Sequence, residues 1–165
     1  QSGFRVVRFE FPYMADRRET GKKKPPNRLP ILLDTWNAVI TDLGPETLVV
    51  GGKSMGGRIA SMVADDAKVR GVVCLGYPFH PPGKPEKLRT EHLIELKTPA
   101  LFCQGERDPF GTKDEVPSFG ISKNIQVHWS PDGDHGLKPR KKSGFTEEKN
   151  IADAIDTICG FMKTQ

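Results

Sequence analysis

The sequence predicts an α/β fold, a mostly parallel sheet of about five strands flanked by helices. Two observations carry the prediction. Short apolar, β-branched runs alternate with segments of helical periodicity, the pattern of strands buried on both faces and joined by crossover helices. In addition, the apolar run Thr47-Leu48-Val49-Val50-Gly51 passes without a break through Gly52-Lys53-Ser54-Met55-Gly56 into a helical pattern, so strand, tight turn and helix follow one another directly. At 165 residues and 18.3 kDa the chain is read as one domain, residues 1–165, long enough to bury a core.

Taken in chain order, Arg5 to Phe11 reads as the first strand, and Met14 to Leu29, charged and punctuated by Gly21 and Pro25-Pro26, as a loop. From Pro30 to Leu43 the apolar residues Leu32, Leu33, Trp36, Val39, Ile40 and Leu43 form a helical stripe that Gly44-Pro45 ends. The strand Thr47 to Gly51 and the helix Met55 to Ala67 follow, then the strand Val69 to Leu75 and a proline-rich stretch, Tyr77 to Lys87. Strands are predicted again at Ala100 to Gln104 and Ile125 to Ser130. The helix Glu147 to Lys163 closes the series, with Ile151, Ala154, Ile155, Ile158, Phe161 and Met162 on one face. Thr146 is placed as its N-cap, with Glu147 and Glu148 in the first turn where negative charge suits the helix dipole. The two irregular stretches are expected over the carboxyl edge of the sheet, where ligands bind in open α/β folds.

The charge balance is mildly basic, +4 with a pI near 9.0. The excess is concentrated in Arg17, Arg18, Lys22, Lys23, Lys24 and Arg28, and again in Lys138, Arg140, Lys141 and Lys142. Solvated loops account for both clusters better than a phosphate-binding surface does, and no nucleic-acid partner is expected. Cys74, Cys103 and Cys159 are odd in number, far apart and set in apolar sequence. They read as buried thiols of a reducing cytoplasm, not as a disulfide framework. No paired cysteines or His-Glu-x-x-His helix suggests a metal, and no apolar run has membrane-spanning length. No cofactor is expected, and the oligomeric state is left open.

The chemistry begins at Ser54. Gly-x-Ser-x-Gly between a strand and a helix is the pattern of a nucleophile elbow, in which the serine takes a strained backbone and small neighbours let strand and helix approach. A phosphate-binding loop, Gly-x-x-x-x-Gly-Lys-Ser, fails because position 47 is Thr47 and the intervening residues are strand. A serine hydroxyl needs a base to take its proton. Of His80, His92, His128 and His135, the last lies in the loop after the final strand, where this architecture presents such a base. His128 falls inside a strand and His92 on a short helix, so both read as structural or exposed, whereas His80 could line a pocket. A carboxylate should orient the imidazole. Asp108, just after the strand Ala100 to Gln104, is the best candidate and Glu106 the next on position alone. Asp132 and Asp134 sit too near His135 in sequence to reach round to its ring.

The segments Gly52-Lys53-Ser54-Met55-Gly56-Gly57-Arg58, Gly105-Glu106-Arg107-Asp108-Pro109-Phe110-Gly111 and Gly133-Asp134-His135-Gly136-Leu137-Lys138-Pro139 resemble the α/β-hydrolases, within them the small dienelactone-hydrolase-like branch. The resemblance runs over essentially the whole chain. It implies an α/β-hydrolase fold, Ser54 as nucleophile, His135 as base, Asp108 as the acid member, and the backbone N–H of Met55 as one oxyanion donor. It also implies strands ahead of Arg5 to Phe11 and a further oxyanion donor from the loop after the third of them. Neither is found here, so the chain is expected to be N-terminally truncated by roughly fifty residues, from ordinary strand and crossover lengths. A gap is expected in the sheet between Arg5 to Phe11 and Thr47 to Gly51. Losing one donor typically costs a hundredfold to a thousandfold, on the order of 3–4 kcal/mol, in turnover.

The reaction implied is hydrolysis of a small acyl substrate, a carboxylic ester or thioester, through an acyl-enzyme. The alternative is a non-catalytic scaffold or binding protein of the same fold that uses its basic loops. Lys53, Tyr77, Phe79, His80 and Phe110 are expected to line an open pocket, since the stretch between Leu75 and Ala100 is too short for a large lid. Lys53 and Arg58, flanking the serine in sequence, are more readily packed than bound to an anionic substrate.

Overall fold

In a computed structural model, residues 3–165 are described. The helices are α1 (Pro12–Thr20), α2 (Leu29–Leu43), α3 (Met55–Ala67), α4 (Glu91–Ile94) and α5 (Glu147–Lys163). The strands are β1 (Val49–Lys53), β2 (Gly71–Leu75), β3 (Ala100–Gly105) and β4 (Ile125–Ser130). They form one parallel sheet in the order β1-β2-β3-β4. Because side chains alternate across a strand, the sheet feeds two cores. Val72, Cys74, Ala100 and Phe102 face a large cluster with Leu32, Trp36 and Ile40 of α2 and Ile59, Ala60 and Val63 of α3. Val73, Leu101 and Cys103 face a smaller one closed by Ala154 and Phe161 of α5. Cys74 and Cys103 lie inside these cores, and burial pushes both thiols up, Cys103 to about 12. Cys159 is only half-buried, a departure from the expected buried thiol.

Two expectations fail at the front. Among the described residues the sheet has four strands and not five, because Arg5 to Phe11 pairs with no strand there and Phe4, Val6 and Val7 are exposed. β-propensity reflects a fit to a pleated, half-buried surface, and no neighbouring strand supplies that surface here. Between this segment and the open side of β1 lies a trough of about 740 Å³, its floor including Trp36, Val39 and Ile40. It sits where a gap in the sheet is expected. The second failure is in the stretch read as a loop from Met14, which holds most of α1 (Pro12–Thr20). Pro12 at its N-terminus and a left-handed Gly21 beyond its C-terminus are ordinary helix signals. The helix buries no residue, so it lacks the apolar stripe by which helices are recognised.

At the other end, Thr146 caps α5, its hydroxyl accepting from the Lys149 amide at 3.1 Å. The apolar face of α5 is narrower than the periodicity suggests: Ile151 and Ile155 stand outward at 40% and 51% exposure, and Asn150 is buried in their place. Surface ion pairs account for part of the two basic clusters, with Arg18 on Glu10, Lys24 on Asp16 and Lys138 on Glu147. No helix among the described residues is long and apolar enough to cross a membrane.

Candidate active site

Parallel strands deliver every strand-to-helix connection to the same edge of the sheet. Ser54 follows β1, Asp108 follows β3 and His135 follows β4, so all three side chains rise from the carboxyl edge. Neighbouring strands are about 4.8 Å apart, which puts β1 and β4 roughly 14 Å apart across three spacings. The loop after β4 must therefore run back over the ends of β3 and β2. A Cβ at Gly105 would run into the carbonyl oxygens of Gly133 and Asp134, and one at Gly76 would stand 3.1 Å from the His135 ring. The loop lies flat on the sheet edge, and two missing side chains make room for it.

The elbow is equally crowded. Ser54 has φ 53° and ψ −119°, a conformation that favours glycine. A Cβ at Gly52 would meet Gly56 at 2.9 Å, and one at Gly57 would meet the Gly52 carbonyl at 2.6 Å and Cys74 Sγ at 2.9 Å. Around a Cβ at Gly56 there is open space. The close approach of strand and helix thus requires glycine at positions 52 and 57, whereas the pattern Gly-x-Ser-x-Gly points to 52 and 56.

In the resulting geometry His135 Nε2 lies 3.0 Å from Ser54 Oγ, and His135 Nδ1 lies 2.8 Å from Asp108 Oδ2. Asp108 is fully buried. Its Oδ1 accepts from the Phe110 amide at 2.9 Å, and its Oδ2 also accepts from Gln104 Nε2 at 2.9 Å. Each carboxylate oxygen is therefore held by a protein donor that does not titrate, which fixes the face presented to the ring. Glu106, the positional competitor, is engaged elsewhere: it pairs with Lys113 at 2.7 Å and accepts from the Asp132 amide at 2.9 Å.

Asp132 and Asp134 hold the histidine loop and do not touch the ring. Asp134 Oδ1 accepts from the Gly136 amide at 2.7 Å and the Lys138 amide at 3.1 Å. Asp132, itself at φ 51°, is gripped by Arg140 and by Arg107 at 2.9 Å. The Arg140 hydrogen bonds keep its carboxyl well below the usual range, at about 2.

The pocket residues fare unevenly. Phe110 lies against the His135 ring, centroids 4.3 Å apart. Lys53 is exposed, its ammonium directed toward Gly136. Tyr77 and Phe79 are fully buried and His80 is 3% exposed, so these three do not line an open pocket. Tyr77 stacks on Phe102 with centroids 4.8 Å apart, because the start of the proline-rich segment, Tyr77 to His80, folds inward as core, while Pro82 to Lys87 stay exposed. Of the remaining histidines, His92 lies 2.9 Å from Ser61 Oγ on α3, and His128 lies 3.3 Å from Thr157 Oγ1 on α5.

Two residues in the support of the site go unnoticed in the sequence. Gln104, in the centre of an apolar strand, accepts from the Tyr77 amide at 2.7 Å and donates to the carbonyls of Tyr77 and Gly111 as well as to Asp108. Asn150 donates to the Leu137 carbonyl at 2.8 Å and the Pro131 carbonyl at 3.0 Å, tying the histidine loop to α5 from both sides. The only signal for either is a polar amide where the pattern asks for an apolar residue. Among the described residues no group of His, Cys, Asp and Glu side chains is arranged to hold a metal.

A family described as the alpha/beta hydrolase domain matches residues 1–163. The chain belongs to that family. Similar solved structures include a predicted CIB-like hydrolase from Thermoplasma acidophilum, 14% identical, with a TM-score of 0.57 over 81% of this chain and 61% of that one. An alpha-beta serine hydrolase homologue from Coxiella burnetii is 17% identical, with a TM-score of 0.55 over 86% of this chain and 62% of that one. A thermophilic esterase from Thermogutta terrifontis is 16% identical, with a TM-score of 0.59 over 93% and 88%. At these identities the likeness is one of fold. The chain spans a little over three-fifths of the length of the first two.

Proposed function

We propose that the protein is a serine hydrolase of small acyl substrates, carboxylic esters or thioesters, in the dienelactone-hydrolase-like branch of its family. The observation that carries this reading is the unbroken line of hydrogen bonds from Ser54 Oγ through both ring nitrogens of His135 to the buried Asp108. In the reaction, His135 Nε2 takes the hydroxyl proton as Ser54 Oγ attacks the acyl carbon. Asp108 stabilises the imidazolium by accepting from Nδ1. The Met55 N–H, at the start of α3, donates to the developing oxyanion. Collapse expels the alcohol or thiol with the proton from His135, leaving an acyl-enzyme that water cleaves by the same steps in reverse roles. The buried reduced thiols Cys74 and Cys103 suit a cytoplasmic protein.

A fluorophosphonate probe tests the reading, because it labels a serine only when a base activates it. Labelling at Ser54 is expected, with loss in Ser54→Ala and His135→Ala. A correctly folded protein that takes no label sinks the proposal. The competing reading is a non-catalytic binding protein, which the exposed apolar residues Phe4, Val6 and Val7 favour. It requires that outcome.

A further inference from the structure

On α3, the face carrying Arg58, Ser61 and Asp65 looks away from the sheet, toward the segment between β2 and β3. Ser61 Oγ contacts His92, and Asp65 accepts from the amides of Lys97 and Thr98. Two half-buried arginines lie in this region, Arg58 on α3 and Arg89 just before α4. A third half-buried arginine, Arg107, is answered by Asp132 at 2.9 Å. Among the described residues, neither Arg58 nor Arg89 has a carboxylate partner. The Nε of Arg58 is shut off from solvent with no acceptor.

The nearby groups cannot serve as counter-charge. Tyr77 donates its hydroxyl to the Arg89 carbonyl at 2.8 Å, and burial drives its pKa further up, so it stays neutral. Ser61 donates its hydroxyl to the Arg58 carbonyl at 2.8 Å. His92 is kept uncharged at neutral pH, pushed down to about 4 by burial and then by the charge of Arg58. Asp65 is committed to Lys97 and Thr98, with its Oδ1 also accepting from the Thr98 hydroxyl at 2.6 Å. Ser61 bridges the Arg58 carbonyl to His92, and Tyr77 bridges His92 to the Arg89 carbonyl, so the two arginines belong to one hydrogen-bonded neighbourhood, and burial and then the charge of Arg58 lower the pKa of Arg89. Partly desolvated cations are retained at such a cost when an anion can answer them.

We propose that Arg58 and Arg89 together form a binding site for the oxyanion of a small acid, a carboxylate or phosphoryl group. Guanidinium forks match both groups in geometry, and the first turns of α3 add the positive end of a helix. The Arg58 amide donates to the Ser54 carbonyl at 3.0 Å, so the site begins one turn beyond the serine, about 6 Å along the helix axis. It is therefore a neighbour of the Ser54 centre and not part of it, and it stands whether or not Ser54 is a nucleophile.

The test is titration of the whole chain with sodium succinate and, separately, with inorganic phosphate, against sodium chloride at matched ionic strength. The arginine Nε–Hε resonances are followed by NMR. Saturable shifts are expected for Arg58 and Arg89, and the tighter of the two anions identifies the ligand class. Arg58→Lys and Arg89→Lys keep the charge but lose the fork, and each is expected to weaken binding about tenfold or more. Arg89, on an irregular segment, carries the test if Arg58→Lys does not fold. Shifts that only track ionic strength overturn the proposal, as does a saturable site that the substitution leaves untouched.

Discussion

At the scale of single residues, the most informative is Ser54, held at φ 53° and ψ −119°. Such a conformation costs a non-glycine residue on the order of 1–3 kcal/mol. Ser54→Gly is therefore expected to raise stability by about 1 kcal/mol, after the added flexibility of glycine in the unfolded chain is deducted. It should also abolish probe labelling. A urea midpoint that stays level or falls would show that the elbow stores no strain. Gln104 makes the opposite case. It is buried and satisfies Tyr77, Gly111 and Asp108 together, so Gln104→Leu strands several polar groups inside the protein. The expected cost is about 2–3 kcal/mol. The rate of fluorophosphonate labelling should fall as well, because Asp108 loses one of the donors that orient it. A variant whose labelling rate matches the parent would make Gln104 a structural residue only. Ser54 could be read from the sequence because its neighbours are a local pattern. Gln104 could not, because its partners arrive from other segments.

Among the elements, the contact between β1 and α3 separates two glycines that the motif treats alike. A methyl group at position 57 meets the Gly52 carbonyl and Cys74, whereas one at 56 meets nothing. Gly57→Ala is expected to destabilise by about 2 kcal/mol or more through forced separation of strand and helix. Gly56→Ala should be neutral or stabilising by about 0.5–1 kcal/mol, as alanine is the better helix former. Thermal melts of the two variants decide the matter, and equal losses would contradict the packing described. Most elements were legible because their apolar periodicity is strong, as in α2 and α3. The misreadings share a cause. Arg5 to Phe11 has the composition of a strand without a neighbour to pair with, and α1 is a helix without a buried face. Periodicity reports burial, so it overlooks an element that buries nothing.

For the whole molecule, two groups with large shifts, His92 and Asp132, lead the expected response to acid, and Asp65, Glu106 and Glu115, also held below their ordinary values, add to it at the acidic end. His92 has an ordinary pKa of 6.5 and is pushed down to about 4 in the fold by burial and by Arg58. The unfolded chain takes up that proton first, so the stability tied to neutral His92 is complete above pH 6.5 and drains away as pH falls toward 4. The loss is on the order of 2 kcal/mol. Asp132 acts lower on the scale. Its carboxyl drops from 3.8 to about 2, so its contribution is complete above 3.8 and is lost as pH falls through 2. Urea midpoints measured from pH 7 to pH 2 should decline in these two stages. His92→Gln should flatten the upper stage, and Asp132→Asn should reduce the lower one, to which Asp65, Glu106 and Glu115 also contribute. A parent profile that is level between pH 7 and pH 4 would contradict the His92 assignment.

The sequence by itself determined the parallel α/β architecture, the elbow at Ser54, and the order of a serine, a carboxylate and a histidine after successive strands. These follow from short-range properties: apolar spacing, turn chemistry, and which residues come directly after a strand. Only the tertiary structure decided that Asp108 and not Glu106 meets the ring, that Tyr77, Phe79 and His80 belong to the core, and that Arg58 and Arg89 share one neighbourhood. His135 stands 81 residues from Ser54 and 27 from Asp108 in the chain. A hydrogen bond extends only about 3 Å. Partners so far apart in sequence are chosen by how the sheet edge and its loops pack, which no local pattern records.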